Sequence, residues 1–184
     1  MRSLDLGNAI IGGVIFIWLF ATGIAFYFFS QSSIEWFDAK GQLLAIQSNQ
    51  TLQSEYETKL ADTLIGEFGQ LNNRVFHISD EDCSCNRLAE PHKAELDSWF
   101  KDKGFQTSEL PLAVLKSLLP ASPAVIVFDK NGQLTYLGPY SSGYLCNKEN
   151  SVVELAVAPS LQIDDLPAVI NSQAQGCFCI NSPS

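Results

Sequence analysis

Hydrophobic side chains are spread unevenly along the chain, and the first 30 residues form its most apolar stretch. No charged side chain lies between Leu6 and Ile34, and residues 9–29 read AIIGGVIFIWLFATGIAFYFF. A helix of this length, at about 1.5 Å per residue, spans a hydrocarbon core of about 30 Å. The stretch is longer than the apolar core of a signal peptide and lacks a small-residue cleavage site. The pattern therefore predicts an uncleaved transmembrane helix over residues 9–29, preceded by a tail at residues 1–8.

Charges on either side of this helix indicate its orientation. Arg2 and the α-amine lie on the N-terminal side, whereas Glu35 and Asp38 are the first charged residues after the helix. Positively charged flanks favour the cytoplasmic side. We therefore expect a single-pass protein of a bacterial inner membrane, with a cytoplasmic N-terminus and a periplasmic soluble domain.

Helix and strand periods alternate in the remainder of the chain, after a predicted linker at residues 30–42. Residues 51–69 carry an apolar side chain at every fourth position, which predicts a helix. Residues 34–37 and 43–46 are apolar and predict a small hairpin or a single strand, and residues 151–158 fit a helix or a strand. The other predicted elements are strands at 74–79, 105–110, 124–128 and 133–137 and helices at 84–103, 111–119 and 164–171. This order predicts an α/β sandwich with a mixed central sheet.

Charge and cysteine content narrow the classes of function. The net charge is −9, and all of it falls after residue 30. The basic residues form no cluster, so we expect no nucleic-acid partner. Five cysteines suit a compartment in which disulfides persist. Two of them form a Cys-Ser-Cys motif at residues 83–85, directly after the strand VFHIS, and this motif opens a predicted helix.

This combination resembles the thioredoxin-like superfamily over residues 43–158. The strand VFHIS leads into a cysteine motif, Pro91 lies inside the following helix, and Ser122-Pro123 precedes the strand AVIVF and the hairpin NGQLTYLG. The pattern also resembles a bacterial family of membrane-anchored thioredoxin-like domains with no assigned activity. Residues 159–184 lie outside the resemblance and are expected to form a cysteine-containing extension packed on the domain.

The resemblance implies roles for several residues. Cys83 would be the exposed nucleophile and Cys85 the resolving thiol, because the attacking species in disulfide exchange is a thiolate that a helix N-terminus favours. The Ser122–Pro123 bond would be cis, would shape the substrate groove and would keep metal ions off the thiolates. His77 occupies the position at which thioredoxins bury an acid that assists proton transfer. It could equally be an inert histidine of the strand.

The motif also departs from the Cys-x-x-Cys of thioredoxins. A Cys83–Cys85 disulfide would close a tight ring, and we expect a strained pair of this kind to be relatively oxidising. The three acidic residues at 80–82 would oppose thiolate formation. The direction of electron flow therefore does not transfer from the resemblance.

Cys146, Cys177 and Cys179 allow two interpretations. A structural disulfide from Cys146 to Cys177 or Cys179 would pin the C-terminal extension to the domain. Alternatively, Cys177-Phe178-Cys179 would be a second redox pair that exchanges electrons with Cys83 and Cys85. Sequence alone does not choose among the pairings.

These observations predict a membrane-anchored thiol–disulfide oxidoreductase or isomerase. Its partners would be protein thiols or disulfides of the cell envelope and a further redox partner, and it would need no resident cofactor or metal. Two alternatives stay open. Two Cys-x-Cys motifs could handle copper or zinc through soft thiolate ligands. The domain could also be a redox-inert interaction scaffold, because fold alone does not determine function.

Overall fold

A computed structural model describes residues 2–31, 34–143 and 151–181 of the chain. It divides into two compact units, Met1–Ile34 and Glu35–Ser184. The second unit contains all five cysteines of the sequence.

The first unit is a single helix, α1, which runs from Arg2 to Gln31. Its segment Gly7–Phe28 has a mean hydropathy of 2.3, and none of it is buried against protein. Within the part of the chain that the structure describes, it is the one helix long and apolar enough to cross a membrane. The expected helix is therefore present, with its apolar side chains exposed.

The second unit contains four α-helices and nine short strands in the described ranges. The helices are α2 (Gln42–Gln47), α3 (Gln50–Phe68), α4 (Cys85–Asp102) and α5 (Val153–Val157). The strands are β1 (Glu35–Trp36), β2 (Arg74–Ser79), β3 (Gln106–Pro111), β4 (Ala121–Ser122), β5 (Ala124–Phe128), β6 (Leu134–Gly138), β7 (Val169–Ile170), β8 (Gln175–Gly176) and β9 (Cys179–Ile180). The described residues also include two 3-10 turns, Leu112–Leu115 and Ala158–Leu161.

Five strands form one mixed sheet in the order β3-β2-β5-β6-β7. β2 runs parallel to β3 and antiparallel to β5, and β6 runs antiparallel to β5 and parallel to β7. Two further pairs lie outside this sheet, β1 with β8 and β4 with β9. The predicted mixed α/β architecture is confirmed.

Alternation along β2 explains the two sides of the sheet. Phe76 and Ile78 pack in a cluster with Leu60 and Leu64 of α3, whereas Val75 packs in another cluster with Leu96 of α4. Successive side chains of a strand point to opposite faces, so one strand supplies both clusters. The sheet is therefore sandwiched between α3 and α4.

The prediction of a strand or hairpin at residues 43–46 is wrong, because these residues lie in α2. The carboxylate of Asp38 accepts hydrogen bonds from the backbone N–H groups of Gln42 at 2.8 Å and Leu44 at 2.9 Å. These bonds satisfy free N–H groups of the first helical turn and start the helix. The Asp38 side chain therefore favours a helix in the short apolar segment at residues 43–46.

The prediction of a helix at residues 164–171 is also wrong. Asp165 has a positive φ of 58°, which interrupts a helical path. Val169 and Ile170 instead form β7 and extend the sheet beside β6. The predicted helix at residues 111–119 is reduced to a 3-10 turn at Leu112–Leu115. Residues 151–158, which the sequence left ambiguous, contain the helix α5.

The segment predicted as a linker is partly built into the second unit. Phe37 is fully buried and its backbone N–H donates to the carbonyl of Ala174 at 2.9 Å. β1 pairs with β8, so the start of the unit and its C-terminal region support one another. The described part of the C-terminal region therefore contacts the start of the unit.

The packing of α3 gives a direct stability test. Leu64 is fully buried between α3 and the sheet, whereas its neighbour Ile65 is half exposed. We expect Leu64→Ala to lower the free energy of unfolding by about 2–5 kcal/mol, because it leaves a cavity in the core. Denaturant unfolding of the detergent-solubilised chain measures this loss, and Ile65→Ala is the matched control with a change below about 1 kcal/mol. Equal losses for the two variants would contradict the assigned face of α3.

Candidate thiol–disulfide site

The Cys-Ser-Cys motif lies where β2 leads into α4. The backbone N–H of Cys83 donates to the carbonyl of Asp80 at 2.9 Å, and the side-chain amide of Asn86 donates to the same carbonyl at 2.5 Å. Ser84 is the N-cap of α4 and Cys85 is its first residue. The loop thus holds both cysteine side chains at a helix N-terminus, where partial positive charge favours thiolates.

Each cysteine of this motif is bonded to a cysteine of the C-terminal motif. Cys83 is joined to Cys179, with Cα atoms 5.8 Å apart, and Cys85 is joined to Cys177, with Cα atoms 5.4 Å apart. The expected Cys83–Cys85 disulfide is therefore not the pairing that the structure has. The expectation of an oxidising couple was based on strain in the small ring of a Cys83–Cys85 disulfide. That ring is not formed, so this reason no longer applies.

The expected disulfide from Cys146 to the C-terminal motif is also wrong, because the sulfurs of Cys177 and Cys179 are both taken. Cys146 itself lies outside the described residues. The structure brings Cys177 and Cys179 next to Cys83 and Cys85 but does not bond Cys177 and Cys179 to each other. The interpretation of Cys177-Phe178-Cys179 as a second redox pair that exchanges electrons with Cys83 and Cys85 therefore stays a prediction. Two Cys-x-Cys motifs of equal spacing were the sequence signal for the association of the two motifs.

Strand pairing carries the C-terminal motif to the site. In the β4–β9 pair, Ser122 lies opposite Cys179 and Ala121 lies opposite Ile180. On the other side of the motif, Gly176 lies opposite Glu35 in the β1–β8 pair. Cys177-Phe178-Cys179 is thus held by backbone hydrogen bonds before and after it.

Gly176 is required where the C-terminal region passes the loop that follows β6. A Cβ atom at this position would lie 2.7 Å from the carbonyl oxygen of Gly143 and 3.1 Å from the ring of Phe178. Any side chain would therefore push the strand away from its neighbours. A glycine directly before the C-terminal motif is a structural requirement for the approach of that motif to Cys83 and Cys85.

The four sulfurs form one compact cluster. The Sγ atoms of Cys83, Cys85 and Cys179 all lie within 4.8 Å of one another, and that of Cys177 is bonded to Cys85. Cys83, Cys85 and Cys177 are buried, whereas Cys179 is partly exposed. The resemblance implies that Cys83 is the exposed thiol, but Cys83 is buried and Cys179 is the most exposed of these four cysteine residues.

The Ser122–Pro123 peptide bond is cis, which confirms the prediction made for it. The carbonyl oxygen of Ser122 lies 3.9 Å from the Sγ of Cys83. Ser122 is fully buried, and its hydroxyl has no hydrogen-bond partner among the described residues. The strand before the cis-proline thus contacts both ends of the Cys83–Cys179 disulfide, through the carbonyl on one side and the β4–β9 pair on the other.

His77 is buried in β2 with both ring nitrogens engaged. Its Nδ1 lies 2.8 Å from the hydroxyl of Tyr140 and its Nε2 lies 3.1 Å from a carboxylate oxygen of Asp97. Burial lowers the pKa of His77 from its ordinary value, and the nearby Asp97 opposes this effect. The neutral ring with its proton on Nε2 satisfies both partners, because a carboxylate only accepts and the Tyr140 hydroxyl can donate.

A small cavity of about 110 Å³ connects His77 with the elements around the cysteine motif. Its lining includes His77, Asn86, Lys93, Glu109, Pro123 and Tyr140. His77 and Pro123 therefore line the same pocket, together with Asn86, which directly follows Cys85. His92 lies nearby, fully buried and edge-on to the ring of Tyr140, as a packing residue.

The chain belongs to the family described as "Domain of unknown function (DUF6436)", whose pattern it matches over residues 49–181. The matched region begins at the N-cap of α3 and ends just after β9, so it includes both Cys-x-Cys motifs. No curated protein and no solved structure matches the chain.

The buried His77 predicts a pH dependence of stability. Its pKa in the folded chain is lowered below 6.5, so the unfolded chain binds the proton more readily as the pH falls. The free energy of unfolding should therefore decrease below about pH 6.5, by at most about 1.4 kcal/mol per pH unit from this group. Thermal unfolding of the wild type and of His77→Asn between about pH 7 and about pH 5 tests this. The variant should show the shallower dependence, and parallel profiles would contradict the assignment.

Proposed function

We propose that the chain is a membrane-anchored thiol–disulfide oxidoreductase or isomerase with a thioredoxin-like domain, acting on cysteines of envelope proteins. One observation carries the proposal: both disulfides lie together at the N-terminus of α4, beside the Ser122–cis-Pro123 bond. The mixed sheet, the cysteine motif between β2 and α4, and Pro91 inside α4 support the thioredoxin-like class.

The exchange starts at the Cys83–Cys179 disulfide, because Cys179 is the most exposed of the four cysteines. A thiolate of a partner dithiol attacks the sulfur of Cys179, the bond to Cys83 breaks, and its electron pair leaves on Cys83. A lower pKa of the departing thiol speeds this step. The N-terminus of α4 stabilises the departing Cys83 thiolate, and the nearby Ser122 carbonyl can accept a hydrogen bond once that thiolate is protonated.

The second half of the reaction returns the partner as a disulfide. In the mixed disulfide a partner cysteine is bonded to Cys179. The partner's second thiolate attacks the sulfur of that partner cysteine, and Cys179 leaves as a thiolate. The partner has then lost two electrons and two protons, and Cys83 and Cys179 carry them. The same steps in reverse reduce a partner disulfide. If the partner is attacked at one of its cysteines and released from another, its disulfides are isomerised.

Proximity couples the second disulfide to the first. The Cys83 thiolate released in the first step lies within 4.8 Å of the sulfur of Cys85. Its attack on that sulfur forms a Cys83–Cys85 disulfide and releases Cys177 as a thiolate, with no net change in electrons. The four cysteines therefore act as one centre that stores four electrons, and the Cys-x-Cys disulfide expected from the sequence becomes an intermediate of this centre.

Location follows from α1 and the charges around it. The helix anchors the chain, and the cytoplasmic N-terminus expected from the charge bias places the thiols in the periplasm of a bacterium, where disulfides persist. The partners are then envelope proteins and a further redox protein that resets the centre.

A redox titration of the full-length, detergent-solubilised chain tests the proposal. The chain is equilibrated in glutathione buffers, trapped with a mass-shifting thiol reagent and analysed by mass. Four thiols should titrate reversibly, because two disulfides can open. In Cys83→Ser the number of reversibly titrating thiols should fall from four to two, because only the Cys85–Cys177 disulfide remains. The reduced wild-type protein should regain its disulfides when it is mixed with an oxidised partner.

Cys146→Ser is the matched control, since it removes a cysteine that belongs to neither of these two disulfides and should leave four titrating thiols. Disulfides that never open while the chain stays folded would contradict the exchange function and leave a stapled, redox-inert scaffold as the alternative.

A further inference from the structure

We propose that the reduced thiols of Cys83, Cys85, Cys177 and Cys179 form a tetrathiolate site for Zn²⁺. This inference goes beyond disulfide exchange, because it concerns what the same four side chains bind when both disulfides are open. It rests on three features of the cluster: the spacing of the sulfurs, the way the C-terminal motif is held, and the identity of the donors.

The spacing of the sulfurs is close to that of a zinc site. Four sulfurs at about 2.3 Å from a tetrahedral Zn²⁺ lie about 3.8 Å from each other. The sulfurs of Cys83, Cys85 and Cys179 already lie within 4.8 Å of one another. The sulfur of Cys177 is bonded to that of Cys85 and so lies beside this group. Once both disulfides are open, all four donors remain next to one another.

Contacts other than the disulfides hold the C-terminal motif against the domain. Before the motif, the backbone N–H of Gly143 donates to the carbonyl of Gln175, and Phe37 donates to Ala174. After it, the backbone N–H of Asn181 donates to the carbonyl of Pro120 at 2.7 Å. The side chain of Asn181 donates to two further carbonyls, those of Leu119 and Lys116.

The residue between the two C-terminal cysteines adds an apolar anchor. Phe178 is buried, and its ring packs edge-on against Phe37 with centroids 5.4 Å apart. Burial of an aromatic ring of this size stabilises the folded chain whether the cysteines are oxidised or reduced. These contacts do not depend on the disulfides, so after reduction the two motifs stay together and the four thiols remain close to one another.

The donor set favours zinc over hard cations. All four ligands are thiolates, which bind soft and borderline ions, and a closed four-coordinate sulfur site is typical of structural zinc. The helix N-terminus at Cys85 offsets part of the negative charge of four thiolates. The partial exposure of Cys179 leaves an entry path.

The cis-proline is compatible with this site. In the resemblance drawn from the sequence, the proline keeps metal ions off a pair of thiols. Two thiols leave half of a tetrahedral shell unfilled, whereas here the C-terminal motif provides the other two. The metal is therefore held by a set of ligands that the central domain alone does not have.

Metal titration of the full-length chain in detergent tests the proposal. A Cys146→Ser background removes the fifth thiol, and a phosphine reduces both disulfides under anaerobic conditions. Co²⁺ is the spectroscopic probe and Zn²⁺ the competitor. We expect one equivalent of Co²⁺ with the intense absorption of a tetrahedral thiolate complex, its displacement by one equivalent of Zn²⁺, and a higher unfolding temperature of the reduced chain with Zn²⁺.

The oxidised chain and a cysteine variant are the controls. The oxidised chain should bind no Zn²⁺, and the reduced double variant Cys177→Ser/Cys179→Ser should lose stoichiometric binding. Three results would each overturn the proposal. The first is that the reduced chain, folded or unfolded, binds no Zn²⁺. The second is that the oxidised chain binds Zn²⁺ equally well, and the third is that the reduced chain binds Cu⁺ but not Zn²⁺. None of these readouts needs an exchange partner, so failure here and failure of the redox function are separable.

Discussion

The short antiparallel contact between β4 and β9 brings the two cysteine motifs together, and the rest of the site depends on it. Cys83 and Cys179 are 96 residues apart, so their meeting depends on the tertiary structure and not on neighbouring residues. Closing a loop of about 100 residues lowers the entropy of the unfolded chain by an amount worth about 4.7 kcal/mol. Once one disulfide has formed, the other closes only a small additional loop. Under the proposed function its contribution is chemical, because it doubles the number of electrons that the four cysteines can hold.

The position of this contact links the packing of the domain to the chemistry of the sulfurs. β2 buries Phe76 on one face of the sheet and Val75 on the other, and its end delivers the loop that carries Cys83 to the N-terminus of α4. β4 ends at the cis-proline that precedes β5, so the central strands fix both sides of the Cys83–Cys179 bond. Under the two proposals, disulfides and bound zinc exclude one another, because a thiolate that ligates zinc is not free to attack or to be oxidised. Zinc would then hold the centre reduced.

Local patterns in the sequence predicted most of the fold but not the pairing of the cysteines. The four-residue spacing in α3, the apolar strand β2 and the turn between β5 and β6 are encoded by neighbouring residues, so each was found. α2 was missed because a single carboxylate, Asp38, overrides an apolar run by capping it. The disulfides were missed because they depend on where β9 is seated, which is a tertiary property of residues far apart in the chain. The two Cys-x-Cys motifs were the available signal, and they left several connectivities open.

Peptide mapping of the intact, non-reduced chain tests the four-sulfur cluster most directly. Trypsin cleaves after Arg74 and Arg87 and after Lys148, which places one motif in residues 75–87 and the other in residues 149–184. We expect a single species in which these two peptides are linked, lighter than their sum by four hydrogen atoms. Reduction should separate the two peptides, and fragmentation should join Cys83 to Cys179. Two unlinked peptides, each lighter by two hydrogens, or a link to the peptide that contains Cys146, would contradict it.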